Sequence, residues 1–140
     1  MDFKTLDRIA DLCIPLLIVS LLLAAFAIRR GAAWIFLLRS AIAVALAQQI
    51  CKLCQKNEVL GGDFPSTHFA VALALLTCFV VLKQRLWPLA LGFATLYGAL
   101  MLAQRYHTPL EMLGAVFAVP LALLLHWQRR TAEVGRSLVK

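Results

Sequence analysis

Two histidines in this sequence stand among residues that suit phosphate chemistry. His68 closes the stretch Gly61-Gly62-Asp63-Phe64-Pro65-Ser66-Thr67-His68, the longest polar, turn-rich break in a chain otherwise made of long apolar runs. Gly61-Gly62 can turn the chain tightly, and Pro65 fixes φ just ahead of a new apolar segment. Ser66 and Thr67 can cap the first turn of that segment, leaving backbone N–H groups beside the imidazole, an arrangement that suits an anion. The same residues serve equally as an ordinary loop, helix cap and interfacial histidine. His107 is followed four residues later by Glu111. If a helix starts at Thr108-Pro109, the carboxylate comes within reach of the imidazole, fixing its tautomer and raising its nucleophilicity. Thr108-Pro109-Leu110-Glu111 is also a capping box with proline at the favoured first helical position. Glu111 thus has two candidate roles, orienting and capping.

The four cysteines point elsewhere or nowhere. Cys13 and Cys78 lie inside apolar segments, as small hydrophobes do. Cys51 and Cys54 form a Cys-Lys-Leu-Cys pair that reads as packing, or as half of a redox or metal site completed by His68 and His107. A nucleotide-binding glycine loop, a serine-centred elbow and paired catalytic carboxylates are all missing from the sequence.

The elements that must position these residues are membrane spans. Of the 140 residues 62% are hydrophobic and 15% charged, against soluble averages of about 45–50% and 25%. The net charge of +7 does not imply nucleic acid, because no basic helix or aromatic-studded basic face carries it. Lys and Arg instead flank apolar runs, as headgroup anchors do. The expectation is an all-α, polytopic membrane helix bundle of about five transmembrane helices forming a single domain. The spans run from about 9 to 28, 32 to 51, 66 to 82, 87 to 103 and 109 to 126. A cleaved leader competes for the first span through Ala25-Phe26-Ala27, but the run is long and Arg29-Arg30 anchors it directly. Arg39 is expected to snorkel, Pro120 to kink the last span, and His126 to sit at the far interface in a structural role.

Five spans put both polar breaks, 52–65 and 104–108, on one side. That side carries five basic residues (Lys4, Arg8, Lys52, Lys56, Arg105), and the other carries eight (Arg29, Arg30, Lys83, Arg85, Arg129, Arg130, Arg136, Lys140). The positive-inside rule then puts the C-terminus in the cytoplasm and both histidine loops outside, with the bacterial inner (plasma) membrane as the expected location.

With these residues in view, the chain resembles the type 2 phosphatidic acid phosphatase / haloperoxidase superfamily. That family carries three motifs: Lys-x6-Arg-Pro, Pro-Ser-Gly-His and Ser-Arg-x5-His-x3-Asp. Pro65-Ser66-Thr67-His68 is similar to the second, with threonine for glycine, and His107 to Glu111 is similar to the end of the third, with glutamate for aspartate. Of the first motif Lys52 remains; Val59 and Leu60 occupy its Arg-Pro positions, while Leu100 and Met101 occupy the Ser-Arg positions of the third. The resemblance covers about residues 52–115 and includes the order of motif loop, two helices, motif and helix. It implies hydrolysis of a lipid phosphate or diphosphate without metal or other cofactor. His107 would attack phosphorus and form a phosphohistidine, Glu111 would orient it, and His68 would protonate the leaving group. Lys52, Ser66 and the backbone at Thr67 would hold the phosphate oxygens, with Lys56 and Arg105 the cations able to stand in for the two missing arginines. The family's usual six spans leave a homo-oligomer open. The alternative is a catalytically inactive relative that binds a phospholipid headgroup or a membrane partner.

Overall fold

A computed structural model describes residues 3–60 and 62–137, with side chains over 12–60 and 62–127. Gly61, the side chains of Lys4, Arg8, Arg129, Arg130 and Arg136, and Lys140, all used in the sequence argument, lie outside these bounds. The architecture is an all-α bundle: α1 (Phe3–Arg29), α2 (Ala33–Lys56), α3 (Thr67–Leu82), α4 (Trp87–Ala103), α5 (Pro109–Ala115) and α6 (Ala118–Ser137). Short 3-10 turns at Arg30–Ala32 and Gln84–Leu86 link α1 to α2 and α3 to α4. No β-strand forms among the described residues.

Three helical stretches are long and apolar enough to cross a membrane: Leu12–Lys56, Gln84–Ala103 and Pro109–Trp127, with Thr67–Leu82 a shorter apolar helix. The first of these is α1 and α2 joined through their 3-10 turn. Both pack on α3, whose 16 residues are only about 24 Å long at 1.5 Å per residue. Two helices of 27 and 24 residues can share that partner only by folding back side by side. The result is about five transmembrane segments, α1, α2, α3, α4 and the pair α5–α6.

α3 is the axis. Its apolar residues run all round the helix, and Ala70, Val71, Ala72, Ala74, Leu75, Leu76 and Cys78 are all buried, as expected of a helix enclosed by others. Small residues let the backbones approach. Ala43, Ala47 and Cys51 face inward from α2, Ala70, Ala74 and Cys78 from α3, and Ala115, Ala118 and Ala122 from α5 and α6, all fully buried. The outside is apolar instead, with Leu23 69%, Leu89 71% and Leu96 74% exposed. An apolar exterior around a small-residue interior suits lipid and not water.

The last span is broken where Pro120 predicts. Proline cannot donate to the carbonyl four residues back, and that carbonyl, on Val116, takes the Val119 N–H at 3.0 Å instead. α5 ends at Ala115 and α6 starts at Ala118. His126 is only 6% exposed, 3.4 Å by Nε2 from Ser40 Oγ and 3.7 Å from Cys78 Sγ. It joins α6 to α2 and α3 inside the bundle, a structural role. Arg39 is partly buried, and its Nη1 has no hydrogen-bond partner among the described residues.

The loop before α3 is docked on α5. A Cβ built on Gly114 would come 2.4 Å from Phe64 Cε2, 2.5 Å from Phe64 Cζ and 3.0 Å from Pro65 Cβ. Gly114→Ala is therefore expected to lower stability by about 1–3 kcal/mol through overpacking. The cost should largely vanish in a Phe64→Ala background, as read by unfolding in mixed detergent micelles.

Candidate functional site

The two polar loops begin in the same way. Where α2 ends, Val59 N–H bonds Cys54 O (3.2 Å) and Glu58 N–H bonds Gln55 O (3.1 Å). Where α4 ends, Tyr106 N–H bonds Met101 O (3.3 Å) and Arg105 N–H bonds Leu102 O (3.0 Å). Both are Schellman motifs, which need a left-handed residue and usually take glycine. Here Glu58 (φ 48°) and Arg105 (φ 57°) occupy that position.

The first loop is held from both sides. Gln55 Nε2 donates to Pro65 O at 2.9 Å and Thr67 Oγ1 at 3.1 Å, and lies 3.4 Å from Asp63 O. Ser66 caps α3, its hydroxyl accepting Phe69 N–H at 3.4 Å, and it is fully buried. Its backbone N–H donates to Glu111 O at 3.0 Å, which fastens the start of α3 to α5. The two loops therefore meet at one end of the bundle.

At the second loop, Thr108 caps α5, its Oγ1 accepting Glu111 N–H at 3.3 Å, while Glu111 Oε2 accepts Thr108 N–H at 3.2 Å. The same Oε2 lies 2.9 Å from His107 Nδ1. Capping and orienting, alternatives in the sequence, are performed together by one oxygen. Because a carboxylate only accepts, Nδ1 carries the hydrogen and the neutral ring keeps its lone pair on Nε2.

An open depression of about 610 Å³ lies over this pair, lined by Asp63, Arg105, Tyr106, His107, Thr108 and Glu111 among others. The expected site residues divide accordingly. His107, Glu111 and Arg105 line it. His68, exposed on the first turn of α3, is not among the described lining residues, and neither are Lys52 and Lys56, exposed on the last turns of α2. The Ser66 hydroxyl is fully buried in the α3 cap and does not face the depression. Thr67 is half-buried and its hydroxyl is held by Gln55. Met101 is 4% exposed in the core.

Two further residues shape this end of the bundle: Asp63 lines the depression and Gln55 holds the first loop. Asp63 was legible only as part of a turn. Gln55 was hidden because the apolar run ends near Cys51 while the helix continues to Lys56. Among the described residues no group of three or more His, Cys, Asp or Glu side chains is placed to hold a metal ion. Cys51 is fully buried among alanines of α2, α3, α5 and α6.

No family model, curated protein or solved structure matches this chain.

Replacing the left-handed Arg105 by glycine should raise stability by about 1 kcal/mol, since the Cβ penalty disappears. Unfolding of Arg105→Gly in mixed micelles checks it; a loss of stability would mean that the side chain, and not the backbone, dominates there.

Proposed function

We propose that the protein is a lipid phosphate or diphosphate phosphatase that works through a phosphohistidine. The observation that carries this reading is the His107–Glu111 pair, 2.9 Å apart within the depression that Arg105 also lines. Nε2 of His107 attacks phosphorus while the bond to the leaving oxygen breaks, and that oxygen takes a proton. Water then cleaves the N–P bond and releases inorganic phosphate. Glu111 holds the tautomer and stabilises the imidazolium, and Arg105 supplies cationic charge where the family's arginines are absent. The motif resemblance assigns the leaving-group proton to His68, which follows directly on the loop fastened to Glu111. The distribution of basic residues favours a site on the outer face of a bacterial inner membrane.

A second reading is a headgroup-binding protein without turnover. It is favoured by the burial of Met101 and by the exclusion of His68 from the described lining.

Purified protein in detergent should release phosphate from a lipid phosphate, and His107→Ala should abolish release. Glu111→Gln keeps a residue suited to the capping box and should lower kcat by a factor on the order of 10²–10⁴. Equal release by the wild-type and His107→Ala proteins would eliminate the proposed nucleophile. Lipid-phosphate binding with no release would favour the second reading.

A further inference from the structure

The depression carries one charge that the reaction above leaves unmatched, the carboxylate of Asp63. Glu111 is engaged by His107 and the Thr108 N–H. Arg105 and Asp63 line the same depression, yet no ion pair joins them. Asp63 is exposed, and its position is set through the backbone. Gln55 bonds Pro65 O and approaches Asp63 O, and the Phe64 ring rests against Gly114. The carboxylate is thus carried to the depression by a fastened loop.

A bare phosphate binding beside Arg105 and His107 would meet repulsion from Asp63. A phosphate with an ammonium group a few bonds away would satisfy both Arg105 and Asp63. The volume of about 610 Å³ is in the usual range for ligand sites, about 300–1,000 Å³.

We propose that this site selects amine-bearing phosphates, the phosphate set against Arg105 and His107 and the ammonium against Asp63. The proposal rests on reading the depression as a phosphate site. The ligand is a phosphorylated amino alcohol, carried on a lipid chain or free in water.

The test uses the full chain in neutral detergent with two matched pairs of probes. The lipid pair is a long-chain 2-aminoalkyl phosphate and the same alkyl phosphate without the amine; the soluble pair is phosphoethanolamine and ethyl phosphate. Binding is read on His107→Asn, which lacks the nucleophile, so that preference is measured apart from turnover. The amine-bearing lipid should bind about tenfold tighter than its partner, the equivalent of one charged contact. Asp63→Asn, at an exposed position, should abolish that preference and bind the amine-free lipid severalfold tighter. Phosphoethanolamine binding as tightly as the amine-bearing lipid assigns the ligand to the aqueous phase; much weaker binding assigns it to the bilayer. Equal binding within the lipid pair, or a preference that survives in Asp63→Asn, would overturn the proposal. Binding of no probe would overturn it together with the phosphate reading. Preference without turnover by the wild-type protein would overturn the phosphatase reading alone.

Discussion

Glu111 is the residue on which the loop end of the bundle depends. Its carboxylate holds the His107 ring and the Thr108 N–H, its own N–H is capped by Thr108, and its carbonyl receives the Ser66 N–H. The last of these bonds satisfies a donor from a fully buried residue, which would be costly to leave unpaired. The starts of α3 and α5 are thereby fixed side by side, although they lie more than 40 residues apart in the chain. One side chain and its backbone thus set both the chemistry of the imidazole and the place of the neighbouring loop.

Beneath that junction the bundle is built from small residues. Ala47, Cys51, Ala70, Ala74, Ala115 and Ala118 form one buried cluster directly inward of the two loops. Hydrophobic driving force between helices is weak in lipid, so close approach and dispersion hold such a bundle together. Close approach also explains why Gly114 lies under Phe64. The polar loops can dock because the helices carrying them are drawn close. Farther in, His126 sets a polar contact with Ser40 and Cys78 across α6, α2 and α3.

Much of this was legible in the chain. Long apolar runs bounded by basic residues marked the helices, Ser66 marked the start of α3, and Thr108-Pro109-x-Glu111 spelled out a capping box that the structure contains. Pro120 announced the break between α5 and α6. Less legible were contacts made by residues whose local role is ordinary. Gln55 reads as one more polar residue at a helix end, and Gln48 and Gln49 lie closer to the edge of the apolar run. Only the continuation of α2 to Lys56 brings the Gln55 amide to the first loop. Nor does spacing decide which way a residue in a first helical turn faces. His68 is exposed on α3 while Asp63, five residues earlier, lines the depression. The left-handed Arg105 was likewise hidden, because a Schellman ending is announced by glycine and none stands there.

The central claim is that Glu111 holds Nδ1 of His107 and so leaves Nε2 to attack phosphorus. The most direct measurement is the site of phosphorylation after rapid acid-free quenching of the protein mixed with a labelled lipid phosphate, read by mass spectrometry and phosphorus NMR of the isolated peptide. The account predicts phosphate on Nε2 of His107. Phosphate on Nδ1 of that ring, or on another residue, would contradict it.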